Sequence, residues 1–70
     1  MPDRAPRSSL EAVLLREGIS INQLARQLGI NVNGVWKVAN GSQAMTRARA
    51  ERYAEALRAL GAKTDWKEIL

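Results

Sequence analysis

The sequence predicts an all-α fold, a compact domain of five short helices, and three observations favour it. Ala and Leu supply most of the apolar residues and Phe is absent, which is typical of helices. Glycines at 18, 29, 41 and 61 separate stretches in which apolar residues recur every three or four positions. No stretch alternates apolar and polar residues with a period of two, so we expect no strands.

The first two helices have matching start and stop signals. We expect them at Ser9–Glu17 and Ile21–Leu28, each preceded by a serine N-cap and followed by a glycine. A Glu or Gln stands three residues after each serine, which is the spacing of a capping box. The cap pairs are Ser8 with Glu11 and Ser20 with Gln23, and the stops are Gly18 and Gly29.

Three further helices follow. A third is expected at Val32–Ala39, a fourth that starts after Thr46 and continues to Leu60, and a short fifth from Asp65 onward. Their start and stop residues are Asn31 and Gly41 for the third, Thr46 and Gly61 for the fourth, and Asp65 with its capping partner Glu68 for the fifth.

Composition narrows the possible functions. Residues 1–7 contain both prolines and are expected to form a flexible arm, with residues 8–70 as one folded domain. The absence of Cys and His excludes disulfides, Cys/His zinc sites, thiolate nucleophiles and imidazole bases. We therefore expect no metal, no cofactor and no enzymatic activity. Since no apolar run approaches the ~18 residues of a membrane span and no secretory signal is present, we expect a cytoplasmic protein without a membrane partner.

The positive charge of the chain is concentrated in one segment. The net charge is +4, and no acidic residue lies in residues 18–50. Outside that segment, seven basic residues balance seven acidic ones. A basic patch of this kind indicates a polyanionic partner such as nucleic acid, although a solvated cationic surface is the alternative. The four cations of the segment are Arg26, Lys37, Arg47 and Arg49.

The second and third helices have the spacing of a helix-turn-helix. Counted from Ile21, the small Ala25 is fifth, Gly29 is ninth, and Val35 and Val38 are fifteenth and eighteenth. The stretch ISINQLARQLGINVNGVWKVANGSQ resembles the core of the lambda-repressor/Cro-like (XRE-type) DNA-binding family, and LRALGAKTDWKEIL resembles the end of its fourth helix and its fifth helix. The resemblance covers residues 10–70.

This resemblance implies a function as well as a fold. In that family the second helix of the motif lies in the DNA major groove, and dimers contact two half-sites. The chain is therefore expected to be a sequence-specific, double-stranded DNA-binding repressor of the phage or plasmid type, acting as a homodimer on a palindromic operator.

The third helix has the distribution of side chains expected of a recognition helix. At 100° per residue, Val35, Val38 and Ala39 share one side of the helix. The opposite side has no carboxylate and carries Asn33, Lys37 and Asn40, flanked by Trp36 and Val32. Amides bond adenine edges, Lys reaches guanine or phosphate, and Val contacts a thymine methyl. The predicted base-contacting residues are Asn31, Val32, Asn33, Trp36 and Lys37.

Two residues of this helix have competing explanations. Trp36 either folds onto the fourth helix as part of the core or lies against DNA. Gly34, which costs ~1 kcal/mol relative to Ala inside a helix, allows either close packing against the second helix or clearance for the DNA backbone.

Phosphate contacts are expected around the start of the fourth helix. Arg47 and Arg49 stand in its first turn, where the helix dipole disfavours cations. Arg47 can pair with Glu51, but we expect nothing nearby to offset both charges, so a phosphate there would relieve the conflict. The preceding loop offers amides, a hydroxyl and backbone N–H groups. The predicted phosphate-binding residues are Asn22, Gln23, Asn40, Gly41, Ser42, Gln43, Arg47 and Arg49.

Two further features bear on the same surface. The family often has a phosphate-clamping Gln at the first position of the motif, where this chain has Ile21, so Asn22, Gln23 or Ser20 would have to replace it. Arg4 and Arg7 are candidates for an arm that extends along the DNA.

The fifth helix supplies the predicted dimer interface, Trp66, Ile69 and Leu70, with closure of the monomer core as the alternative, above all for Trp66. The alternative function is a helix-turn-helix protein-interaction module, or an antitoxin that holds a protein partner through its C-terminal helix.

Overall fold

The computed structural model describes residues 7–70, which fold into five α-helices with no strand in that range. The all-α, five-helix prediction is confirmed. The proposed arm, with Arg4, lies outside the described residues except for Arg7. The helices are α1 Ser9–Glu17, α2 Ile21–Leu28, α3 Val32–Ala39, α4 Arg47–Ala59 and α5 Trp66–Ile69.

The helix ends form at the residues that the sequence indicates. The Ser20 side chain accepts from the Gln23 N–H, and the Gln23 carbonyl oxygen accepts from the Ser20 N–H, so the capping box of α2 is complete. Gly18 and Gly29 close α1 and α2 in the left-handed conformation, with φ of +68° and +72°. Asn31, Thr46 and Asp65 cap the other three helices.

Two expected capping partners act elsewhere. Glu11 accepts a hydrogen bond from the Arg7 N–H at 2.6 Å rather than from Ser8, so the capping box of α1 is only half formed. Glu68 does not return to the cap at Asp65, because its carboxylate bonds to Arg16 and Thr64. The partner of Glu11 is local, whereas Arg16 is 52 residues from Glu68 in the sequence, so local spacing does not indicate that contact.

One apolar core joins all five helices. α2 packs against α3 and α4, α5 packs against α4 and α1, and α1 also touches α3. The α5 helix, although one turn long, therefore closes the bundle between α1 and α4. The largest fully buried side chains come from every helix: Leu10, Leu24, Val35, Leu57 and Ile69.

The α5 helix is also tied down by polar contacts. The Arg16 guanidinium forms a two-pronged ion pair with the Glu68 carboxylate and also donates to the Lys63 carbonyl. These bonds from Arg16, together with one from the Thr64 hydroxyl, hold the pKa of Glu68 down to about 2, and the pKa of Arg16 is raised in turn. The start of α5 is thereby fixed against the end of α1.

Candidate nucleic-acid interface

The α2–α3 unit is built around the turn at Gly29. The Ile30 N–H bonds to the Ala25 carbonyl at 3.1 Å, which satisfies the end of α2. Ala25 is buried, and Val35 and Val38 of α3 are buried in the same core as Leu24. Three of the four positions of the motif spacing are therefore buried, and the fourth, Gly29, forms the turn.

The outer face of α3 carries three exposed side chains, Asn33, Trp36 and Lys37. Trp36 has 45% of its surface exposed, which contradicts the explanation that it folds into the core. Among residues 7–70, no hydrogen bond or ion pair engages any of these three side chains. A helix face with an amide, an indole and an unpaired ammonium can contact both base edges and phosphates.

The first residues of α3 are partly committed to the fold. The Asn31 side-chain oxygen accepts from the Asn33 N–H at 2.8 Å, so it caps the helix. Val32 is half-buried and packs against the core. Only the amide nitrogen of Asn31 and part of Val32 therefore remain for a partner.

Gly34 is not required by close packing. A Cβ atom built there would meet the Ile30 Cδ1 at 3.8 Å, which is ordinary van der Waals contact, and no atom of α2 is closer. The explanation that this glycine lets α2 and α3 approach is wrong, and clearance for the DNA backbone stays a prediction.

The α3–α4 loop offers side chains rather than backbone groups. The N–H groups of Gly41, Ser42 and Gln43 already bond to the Val38 carbonyl, the Asn40 side chain and the Lys37 carbonyl. A phosphate would have to compete with these bonds for the N–H groups, and phosphate contact by this loop stays a prediction. The exposed Ser42 and Gln43 side chains remain, and the bonds hold the loop against α3.

The two arginines of the first turn of α4 both have partners inside the chain. The Arg47 Nε lies 3.4 Å from the Glu51 Oε2, and its guanidinium carbon lies 4.5 Å from the centre of the Trp66 ring. Arg49 donates to the Ala44 carbonyl at 2.7 Å. Glu51 therefore offsets the charge of Arg47 only, and among residues 7–70 no carboxylate pairs with Arg49, as expected. The Glu51 contact follows from four-residue spacing, whereas no sequence signal indicates the contact with Trp66.

At the start of α2, Asn22 and Gln23 are exposed, and Gln23 keeps its amide nitrogen available because only its oxygen serves the cap. Ile21 is half-buried and packs against the core, which gives a structural reason for an apolar residue where the related family often has Gln.

The helix starts divide into two groups. The first turns of α2, α3 and α4 contain no acidic residue, whereas the first turns of α1 and α5 contain Glu11 and Glu68. Acidic residues normally stabilise a helix start. Three helix starts thus have a side-chain cap but no acidic residue, and they belong to the α2–α3 unit and the helix that follows it.

The predicted dimer residues are placed differently from one another. Ile69 is 1% exposed and belongs to the monomer core, so it has no surface to offer a second copy. Trp66 is half-buried and packs against the core, and its ring carries Arg47. Leu70 has 54% of its surface exposed. It lines a shallow groove with Ser9, Leu10, Ala44 and Met45.

Within residues 7–70, no group of three or more acidic residues lies close enough to hold a metal ion, and no helix is both long and apolar enough to cross a membrane. A comparison of the chain with protein-family models, curated proteins and solved structures finds no match in any of the three.

Proposed function

We propose that this chain is a sequence-specific, double-stranded DNA-binding transcriptional repressor that inserts α3 into the major groove. One observation carries the proposal: the outer face of α3 presents Asn33, Trp36 and Lys37 to solvent, without a carboxylate and without partners in residues 7–70. The acid-free first turns of α2, α3 and α4 support it, because a helix start without a carboxylate of its own still attracts an external anion such as a phosphate.

The proposed contacts fall into two classes. Asn33, Trp36 and Lys37 contact base edges, with Asn31 and Val32 at the margin. The phosphate contacts come from side chains around them, which fix the position of the domain without specifying sequence. These are Asn22, Gln23, Asn40, Ser42, Gln43, Arg47 and Arg49. A homodimer on a palindromic operator completes the proposal, with a cytoplasmic location on the nucleoid.

Selection from random duplex DNA tests the proposal. We expect a consensus sequence to be recovered, and the affinity for it to fall steeply with salt because phosphate binding releases counterions. With about four to six phosphate contacts per monomer, the log–log slope is about −4 to −5 per monomer. Recovery of no consensus, together with an affinity independent of salt, would refute the repressor function.

Substitutions separate the two classes of contact. Asn33→Ala and Lys37→Ala should each cost about 1–3 kcal/mol on the consensus and relax sequence preference, whereas Arg47→Ala should weaken all sequences alike and reduce the salt slope by about 1. Arg58→Ala is a matched control, because Arg58 is an exposed cation near the other end of α4. Equal effects of all four variants would contradict the division into base and phosphate contacts.

The second candidate is a protein-interaction module or antitoxin that holds its partner at the C-terminal helix. The exposed Leu70 and its groove favour it. In that case, substitutions on the outer face of α3 would leave partner binding intact, and a substitution at Leu70 would remove it.

A further inference from the structure

The guanidinium of Arg47 is held on two sides. One face lies over the Trp66 ring, with 4.5 Å between the guanidinium carbon and the ring centre. Its Nε lies 3.4 Å from the Glu51 carboxylate. The two terminal nitrogens have no acceptor among residues 7–70, and 70% of the side chain is exposed. The group is therefore oriented and still has donors to offer.

The ring beneath Arg47 is itself fixed. Trp66 is half-buried and packs against the core, and it opens α5, which the ion pair between Arg16 and Glu68 ties to α1. Three residues after Trp66 in the same helix, Ile69 is fully buried. Lys67 approaches the same ring only at 5.9 Å, the outer limit of a cation–π contact. Arg47 is thus the nearer of the two cations on a partly buried aromatic ring.

An oriented guanidinium binds a phosphate more favourably than a free one. A phosphate accepts two parallel N–H bonds from the edge of an arginine, and a flexible side chain loses rotamer freedom when it forms them. Stacking on Trp66 removes part of that loss before the ligand arrives. The flat face of a guanidinium carries no hydrogen-bond donors, so stacking leaves the N–H groups at its edge available.

We propose that Trp66 is a positioning residue for DNA binding, which holds Arg47 so that its terminal nitrogens meet a backbone phosphate. This inference rests on the proposed DNA-binding function. It gives Trp66 a role distinct from core closure and from dimer contact: the C-terminal helix sets the geometry of a phosphate contact made from the start of α4.

A double-mutant cycle tests the inference with the duplex recovered by selection as the probe. We expect Trp66→Leu to weaken binding about two- to fivefold, the range that corresponds to the loss of one exposed cation–π contact. The salt slope should become less steep, as it should in Arg47→Gln. In the Arg47→Gln background, Trp66→Leu should have no further effect. Trp66→Phe, which keeps an aromatic face, should retain most of the affinity.

The possible outcomes distinguish a failure of the proposed role of Trp66 from a failure of the proposed DNA-binding function. If the unmodified chain binds no duplex, the proposed function fails and the inference with it. If the unmodified chain binds and Trp66→Leu weakens binding equally with and without Arg47, then Trp66 is merely structural and the inference is overturned. An affinity of Trp66→Leu equal to or above that of the unmodified chain also overturns it, because the stack would then not assist the phosphate contact. Thermal unfolding of each variant identifies the temperature at which all are folded for the comparison.

Discussion

The glycine inside α3 has no packing role in the described part of the chain. A Cβ at Gly34 would meet only the Ile30 side chain, at 3.8 Å. Glycine within a helix is less favourable than alanine because it loses more backbone freedom on folding. Under the proposed DNA-binding function, stability and DNA binding make opposite demands on this position.

Gly34→Ala should stabilise the fold by up to ~1 kcal/mol and weaken DNA binding. Denaturant unfolding measures the first effect and titration of the selected duplex measures the second. Gly29→Ala is the control: at φ +72° an alanine is strained, so that variant should lose about 1–2 kcal/mol of stability. A Gly34→Ala protein that is less stable than the original, or one that binds DNA unchanged, would contradict this assignment.

Some side-chain contacts cannot be predicted from local sequence patterns. The pair Arg47–Glu51 follows from helical spacing, but the stack of Arg47 on Trp66 joins positions 19 residues apart. Only packing of α5 against α4 creates that contact. The exposure of Trp36 is a similar case, since a helical wheel places it at the edge between the buried and outer faces and only the surrounding helices decide the outcome.

At the scale of elements, Ser8 connects α1 and α3, two helices that separate sequence signals predict. Its hydroxyl accepts from the Glu11 N–H at the start of α1 and donates to the Ala39 carbonyl at the end of α3, at 2.7 Å. A single side chain thus satisfies one helix start and one helix end. This hydroxyl therefore adds a polar tie between α1 and α3 to the apolar contacts that join them in the core.

Ser8→Ala should destabilise the domain by about 1–3 kcal/mol, because it removes a cap and leaves the Ala39 carbonyl without its donor. Ser20→Ala, which removes the α2 cap alone, should cost only about 1 kcal/mol. Chemical denaturation of both variants measures the difference. Equal losses in the two proteins would show that the bond from Ser8 to Ala39 adds nothing to the cap.

The attachment of α5 should depend on pH. The Arg16 and Thr64 bonds hold the pKa of Glu68 at about 2, below its ordinary 4.5. A carboxylate with a lowered folded-state pKa stabilises the fold fully above its unfolded-state pKa, and this contribution is lost as pH falls toward the folded-state value. The domain should therefore lose stability between about pH 4.5 and 2, a window set by the two values for Glu68.

Thermal unfolding as a function of pH tests this expectation, with Glu68→Gln as the comparison. The variant should be less stable than the original protein at neutral pH and should lose less stability across the acid window. A parallel decline of both proteins would assign the acid sensitivity to other carboxylates.

At the scale of the whole molecule, the helix bounds follow closely from the sequence, because caps, glycine stops and apolar spacing are local signals that agree with one another. The contacts between helices, in contrast, cannot be predicted from these local signals. Ile69 has the apolar character of an interface residue and lies in the core, and Glu68 has capping spacing and bonds across to α1. Both outcomes depend on how the short α5 fits between α1 and α4, which no local pattern specifies.

The proposed dimer now depends on Leu70. With Ile69 buried, Leu70 is the predicted interface residue with a largely exposed apolar side chain. Leu70→Asp should weaken dimerisation by about 1.5–3 kcal/mol for each leucine that the interface buries. Binding to a palindrome should then become weaker and less cooperative, whereas the affinity for an isolated half-site should not change.

Sedimentation over a range of concentrations, together with titration of full and half operators, measures both effects. Leu15→Asp is the matched control, because Leu15 is 68% exposed on α1 and belongs to no predicted interface. If Leu15→Asp has the same effect as Leu70→Asp, the effect comes from adding a charge to the surface and not from a lost contact of Leu70. If Leu70→Asp leaves the palindrome affinity unchanged, the two copies meet through another surface, and the half-site spacing must follow from that surface instead.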